Sequence, residues 1–243
     1  MDKFLTAEQL SLVKEMTLAQ YPNEAVFFLT DSGIDCVNNI AEDPTKDFRV
    51  HKSIMGKAYK NGLKAIIHSH PNFPCCPSSA DMRGQIDSRV PWGILSTDGE
   101  TCTDIAWWGD QVEPPPLLDR NFRHGITDCY SLIRDYYRLE FGIFLPEFPR
   151  DWEWWLADQD LYQDGFKKAG FRVIDSSEAK PGDVWLAQLK SPVVNHGGIL
   201  LDHGLILHHP SARKPVDLSQ CSRREPGARW MNHIMLWLRH ESR

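Results

Sequence analysis

Three consecutive prolines, Pro114-Pro115-Pro116, constrain this chain more than any other stretch. Proline has a fixed φ and no backbone N–H, so a triplet can neither continue a helix nor occupy a central strand. It forms a stiff, extended spacer instead. The sequence therefore divides into a first domain over residues 1–111, a spacer over 112–119 and a second domain over 120–243. A length of 243 residues accommodates two ordinary domains, and a chain 42% hydrophobic and 25% charged is expected to be globular.

The net charge of −6, without a basic run, speaks against a nucleic-acid partner. No apolar run is long enough for a membrane-spanning helix, and the start from Met1 to Glu8 lacks the apolar core of a signal peptide. The expectation is a cytoplasmic protein without membrane insertion, unless it travels in a larger particle. Six cysteines in a chain of this size do not make a disulfide scaffold and default to thiols. Of the nine tryptophans, Trp152, Trp154 and Trp155 crowd together, as in a core or a groove wall.

The first half reads α, β, β, α, β, α, β, β. Helical apolar spacing covers Thr6 to Gln20, through Leu10, Val13, Met16 and Leu18. Glu24 stands at the entrance of a strand over Ala25–Leu29, and Gly33 turns the chain into Ile34–Val37. Helices are predicted over Ser53–Lys60 and Ala80–Arg89, and strands over Trp92–Leu95 and Thr103–Trp107. In the second half, helices are predicted from Asp128 to Phe141 and from Trp152 to Lys168. Strands follow over Phe171–Ile174, Val184–Ala187, His196–Leu201 and Leu205–His208. The closing stretch, Ile234 to His240, suits strand or helix.

Between these elements, Leu63–Ile67 is a short apolar run that leads into His68-Ser69-His70-Pro71. Residues two apart on a strand share a face, so both imidazoles aim at one point. Asp81, just past the helix start at Pro77-Ser78-Ser79, can fold back as an anionic third ligand. Two histidines and a carboxylate leave one of zinc's four positions open to water, the arrangement of catalytic sites.

With the upstream Glu24, these residues resemble the JAMM (JAB/MPN) metalloprotease family, whose motif is Glu, then H-x-H-P, then S-x-x-D. Six residues separate Pro71 from Ser78, one fewer than the common form. The resemblance covers about residues 1–110 and implies zinc bound by His68, His70 and Asp81. It further implies Glu24 as proton carrier for a zinc-acidified water and Ser78 as donor to the developing oxyanion. Cys75 and Cys76 lie in the loop between ligands and read as loop thiols. His51 reads as a surface residue.

In the second half, Thr127-Asp128-Cys129-Tyr130 places a thiol at a helix start, where the partial positive charge is expected to lower its pKa. His196 opens a later strand. If the following turn centres on Asp202, His196 and His208 face each other across the pair. His203 and His209 compete with His208, whereas His124, His233 and His240 read as solvated or structural.

This order is similar to the NlpC/P60 cysteine peptidases, which are papain-like. The resemblance covers about residues 120–243. It implies Cys129 as nucleophile, His196 as general base and acid, and His208 as the group that orients His196. The expected fold is thus α+β in two domains, a JAMM-type mixed sheet domain followed by a papain-like NlpC/P60 domain.

The fusion of the two, in this order, resembles the minor tail-tip proteins of lambda-like phages. It implies a bifunctional hydrolase, made in the bacterial host cytoplasm and carried at the virion tail tip, with other tail-tip proteins and peptidoglycan peptides as partners. The cysteine half would cut stem peptides between D-glutamate and diaminopimelate. The zinc half would hydrolyse an amide or isopeptide bond. Two alternatives are a structural factor in tail-tip assembly with vestigial sites and an isopeptidase acting on a protein modifier.

Overall fold

The computed structural model describes residues 2–157, 159–210 and 212–243. Its contacts divide the chain into two compact units. One holds the residues up to Cys76 together with Arg83–Val112, and the other holds Pro77–Met82 together with Glu113–Arg243. Apart from the Pro77–Met82 segment, the break falls between Val112 and Glu113, at the proline-rich stretch. The segment Pro77–Met82, expected in the first domain, clusters with the second because Ser79 binds Asp151 through both its N–H and its hydroxyl, each at 2.8 Å.

The first unit opens with α1 (Ala7–Gln20), started by a capping box in which Thr6 and Gln9 satisfy each other's backbone donors. Strands β1 (Val26–Thr30) and β2 (Gly33–Val37) form a hairpin, followed by α2 (Lys52–Lys60), β3 (Ala65–Pro71), α3 (Ser79–Ser88), β4 (Trp92–Thr97) and β5 (Ala106–Trp108). The sheet order is β2-β1-β3-β4-β5, with β3 and β4 parallel and the other pairs antiparallel. Ala25, Phe27, Leu29, Ala65 and Ile67 pack with Val13 of α1 in one core. Val26 and Phe28 of β1 and Ile66 of β3 face the opposite side and are buried as well, which is why β1 and the start of β3 read as continuous apolar runs. The strand expected over Thr103–Trp107 is shorter, with Thr97 and Cys102 making an isolated bridge before it.

The second unit contains β6 (Asn121–Arg123), α4 (Cys129–Phe141), α5 (Leu161–Gly165), β7 (Phe171–Ile174), β8 (Val184–Ala187), β9 (His196–Leu200), β10 (Leu205–His208), β11 (Val216–Cys221), β12 (Arg223–Pro226) and β13 (Ile234–His240). Six strands form an antiparallel sheet in the order β12-β10-β9-β8-β13-β7, and β6 pairs with β11 separately. The closing stretch is thus strand. Helix α4 lays Leu132, Ile133 and Tyr137 on Leu186, Ile199 and Leu207 of the sheet. An ideal Cβ on Gly197 would lie 3.3 Å from Ile133 and 2.8 Å from Leu186, so the glycine permits this close approach.

The helix expected over Trp152–Lys168 is broken. Among the described residues of this stretch, only Trp154–Leu156 (one 3₁₀ turn) and α5 are helical, and Glu153 adopts a left-handed φ of 59°. Trp154 turns into the interior and Asp160 caps a new helix through the Gln163 N–H, so packing of the indoles outweighs the local helical pattern. Strands β6, β11 and β12 were not expected; β6 and β12 are short and largely polar, and β11 alternates only over Val216–Ser219.

Candidate functional site

In the first unit, Val26 of β1 stands opposite His68 of β3. Continuing that register by two residues sets Glu24 opposite His70, and strand alternation puts all three side chains on one face. One ligand atom from each of Glu24, His68 and His70 lies within 4.8 Å of the others. Glu24 and His68 are buried, and the His68 ring is walled by Phe48, Trp92 and Trp108 at centroid distances of 4.9, 5.8 and 6.2 Å. The His70 Nδ1 lies 3.1 Å from the Pro74 carbonyl, a partner that can only accept. A ring proton is therefore held at Nδ1, and Nε2 lies 3.7 Å from Glu24 Oε1. A ligand histidine characteristically carries this outer hydrogen bond. Two imidazoles directed to one point form a nitrogen donor pair that fits zinc, with the Glu24 carboxylate beside them.

Ser78 and Asp81 cap the start of α3. The Ser78 N–H and hydroxyl donate to Asp81 Oδ2 at 2.8 and 2.7 Å, and the Asp81 N–H donates to Ser78 Oγ at 3.1 Å. The S-x-x-D spacing thus has a local structural use. Cys75 is buried and directs its sulfur to the Ile94 carbonyl at 3.2 Å.

In the second unit, Cys129 is the first residue of α4, and Asp128 is its N-cap, accepting from the Ser131 N–H at 2.9 Å. Asp128 also accepts from Arg150 Nε at 2.9 Å and Nη2 at 3.0 Å, and from the Gly125 N–H at 2.8 Å. Arg150 in turn donates to Glu147 and to the Phe148 carbonyl, and its own carbonyl binds His124 Nε2 at 3.0 Å. His124 is therefore structural and buried. Burial, the largest single influence, opposes the charged form of Asp128, but the Arg150 guanidinium, His124 and the hydrogen bonds from Arg150 and Ser131 together outweigh it and hold the carboxyl well below the usual range. The cap consequently stays ionised and fixes the helix start.

The lowered thiol pKa expected at this helix start is not found. Burial, with the Asp128 charge adding to it, pushes the Cys129 thiol up to about 11, and the Tyr162 hydroxyl 3.2 Å from its sulfur compensates only in part. The helix-end field is weaker than the loss of solvation. Cys129 and His196 line one cavity of about 730 Å³, walled by Tyr130, Trp152, Trp154 and Tyr162. The tryptophan cluster is thus a groove wall.

The histidine pair meets by a register other than the one expected. Leu207 pairs with Ile199 and His208 with Gly198, so the turn centres on His203 rather than Asp202 and the two histidines are diagonal neighbours. They still meet, His196 Nε2 lying 3.1 Å from His208 Nδ1. Gly198 leaves the intervening space open, since a Cβ there would lie 2.8 Å from that of His208. Burial, reinforced by His208 and His209, keeps the His196 imidazole neutral, well below its ordinary pKa. His209 is buried beside Phe122, and burial brings its pKa to about 4; His203 sits exposed in the turn. His208 Nε2 lies 2.8 Å from Glu225 Oε1, which also accepts from Trp230 Nε1 at 2.6 Å. Sequence reasoning missed Glu225, Trp230 and Tyr162. It also missed Asp128, for which a signal existed: an acidic residue directly ahead of a helical pattern, with serine three positions on.

Residues 119–235 match the family model of the NlpC/P60 family. The chain is 40% identical over 147 residues to tail tip assembly protein K of Escherichia phage lambda, covering 60% of this chain and 69% of that protein. It is 32% identical over 200 residues to tail tip assembly protein K of Escherichia phage N15, covering 79% of each. The chain belongs to the family of these phage tail tip proteins, with an NlpC/P60 domain as its second half. A solved NlpC/P60 family protein from Bacillus cereus aligns at 12% identity with a TM-score of 0.35, covering 93% of this chain and 66% of its own, too distant to bear on the fold. Among the described residues, no helix is long and apolar enough to cross a membrane.

Proposed function

We propose that the second half is a cysteine peptidase that opens peptidoglycan stem peptides, at a bond of the D-glutamate–diaminopimelate type, for a phage tail tip. The observation that carries this reading is the hydrogen-bonded pair His196–His208 at the cavity that Cys129 also lines. In this reading the Cys129 sulfur attacks the scissile carbonyl while His196 takes the thiol proton. The same imidazole returns that proton to the leaving amine, and water then hydrolyses the thioester. Because the thiol and the imidazole both rest neutral, substrate binding must make the proton transfer favourable. Besides the paired Asp128 and Arg150, Lys190 and Arg213 line the same cavity against one carboxylate, Glu153, a balance suited to a peptide bearing extra carboxylates. Purified chain incubated with peptidoglycan should release stem-peptide fragments, and Cys129→Ala should release none. Binding without release by the intact chain counts against the reading.

The first half, in the same proposal, is a zinc-dependent amidase with His68 and His70 as ligands. Asp81 keeps the ligand role, and Ser78 the oxyanion-donor role, that the JAMM motif implies. Lewis acidity toward an amide carbonyl and acidified water are what zinc supplies when bound. The protein's own contribution is to hold the His70 proton at Nδ1 and to keep the Glu24 carboxylate at hand for a proton. The site of action would be the virion tail tip, after assembly with other tail-tip proteins in the host cytoplasm.

A second reading is favoured by the Ser78–Asp81 capping bonds, which account for the S-x-x-D part of the motif without a metal. Under it the chain is a structural assembly factor. A Cys129→Ala, Asp81→Ala double variant that still supports full tail assembly and infection would favour that reading over the first.

A further inference from the structure

We propose that Glu225 is a positioning residue of the cysteine site, setting the proton arrangement of both histidines and so placing the basic nitrogen of His196. The inference rests on the peptidase reading above and deepens it. His196, His208 and Glu225 lie on β9, β10 and β12, three strands adjacent in the sheet. His208 stands opposite Gly198 on one side and Arg223 on the other, so both of its side-chain partners are diagonal neighbours on the same face. Glu225 Oε1 lies 2.8 Å from His208 Nε2 and accepts from Trp230 Nε1 at 2.6 Å, while Arg223 Nε lies 3.3 Å from Oε2. The Trp230 ring covers both imidazoles, at 5.3 Å from His196 and 4.6 Å from His208.

A carboxylate accepts hydrogen bonds and cannot donate them. His208 must therefore carry its proton on Nε2, which leaves Nδ1 as a lone pair. The only hydrogen bond that Nδ1 can then make with His196 is as acceptor, so His196 carries its proton on Nε2. The lone pair of His196 is thereby confined to Nδ1, the atom that must receive the thiol proton. Burial lowers the Glu225 tendency to ionise, but the Trp230 N–H and then His208 reverse this and hold its carboxyl below the usual range, so the acceptor is charged at neutral pH. Burial likewise keeps His208 neutral, its neighbour Glu225 notwithstanding. A glutamine at 225 could present either its oxygen or its NH₂ to His208 and would no longer dictate the proton positions.

The test uses the full chain with ¹⁵N-labelled histidine. Nitrogen shifts of the unmodified protein should place the proton of both His196 and His208 on Nε2, a measurement that needs no variant and no substrate. Glu225→Gln should keep its thermal melting point within a few degrees yet show mixed proton positions. It should lower kcat on a stem peptide by about tenfold or more at unchanged KM. A proton found on His208 Nδ1 in the unmodified protein, or a Glu225→Gln enzyme with unchanged kcat, overturns the proposal. If the unmodified chain cuts no stem peptide while both protons sit on Nε2, the peptidase reading fails and the tautomer-setting role of Glu225 stands. If it cuts and the protons are reversed, the role of Glu225 fails alone.

Discussion

The phenolic oxygen of Tyr162 lies 3.2 Å from the sulfur of Cys129. Burial, with the neighbouring thiol, holds the phenol protonated, its pKa well above the ordinary value, so the O–H is the donor whenever the sulfur ionises. A hydrogen bond of this kind contributes about 1 kcal/mol. Tyr162→Phe keeps the ring that walls the cavity and removes only the donor. Alkylation of Cys129 by iodoacetamide at neutral pH should slow by on the order of fivefold. Faster alkylation would mean that the hydroxyl shields the sulfur instead of supporting its thiolate.

Because burial raises the Cys129 thiol to about 11, its alkylation rate should climb roughly tenfold per pH unit above neutrality and level off only near that value. An ordinary thiol levels off near about 8.5. The linkage has a definite sign. The folded chain holds this proton more tightly than the unfolded one, so the stability it contributes is complete below about 8.5 and is lost as pH rises toward about 11. Cys129→Ala should abolish that part of the alkaline loss in a pH series of chemical denaturation.

The ion pair between Asp128 and Arg150 is buried on both sides and also caps α4. Removing Asp128 leaves the buried Arg150 with Glu147 as its remaining counter-charge and frees a helix N-terminus. Asp128→Ala should cost about 3–5 kcal/mol in urea unfolding. Asp128→Asn, which preserves an acceptor for the cap, should cost less. The folded carboxyl is held below its usual pKa, so its contribution is present above about pH 4 and is lost as pH falls further.

Gly198 leaves room for the histidine pair. A Cβ there would lie 2.4 Å from the Leu207 carbonyl oxygen and 2.7 Å from the Trp185 ring. A backbone atom in a paired strand cannot move aside cheaply. Gly198→Ala should destabilise the fold by about 1–3 kcal/mol and impair any activity that needs His196 and His208 together.

The proposed zinc site makes a prediction of its own. Chain incubated with zinc and then desalted should retain metal, and its melting temperature should fall on chelation, because a ligand that binds only the folded state stabilises it. His68→Ala or His70→Ala should lose both the metal and the chelator effect. Glu24→Gln should keep the metal and lose amide hydrolysis.

Much of the site was legible in the sequence because its signals are local. A strand period puts His68 and His70 on one face, and the β1–β3 register adds Glu24. The start of α4 is written in Asp128 and Cys129 for the same reason: capping involves residues only a few positions apart. Apolar runs marked β1, β3, β8 and β9 because buried strands need them. The Trp152–Lys168 stretch misled because local helical preference is weak beside the packing of large indoles.

Three things belonged to the tertiary structure alone. The offset between His196 and His208 depends on where one turn centres, and a shift of a single residue at His203 decides it. The partner of His208 comes from β12, seventeen positions along the chain, in the polar stretch Arg223–Pro226 that carries no strand signal. The protonation of Cys129 depends on how much water the fold removes around the sulfur, and desolvation is a property of the whole packed unit. The sequence by itself determined which groups the chain carries and which of them share a face; the assembled sheet decided their mutual distances and charges.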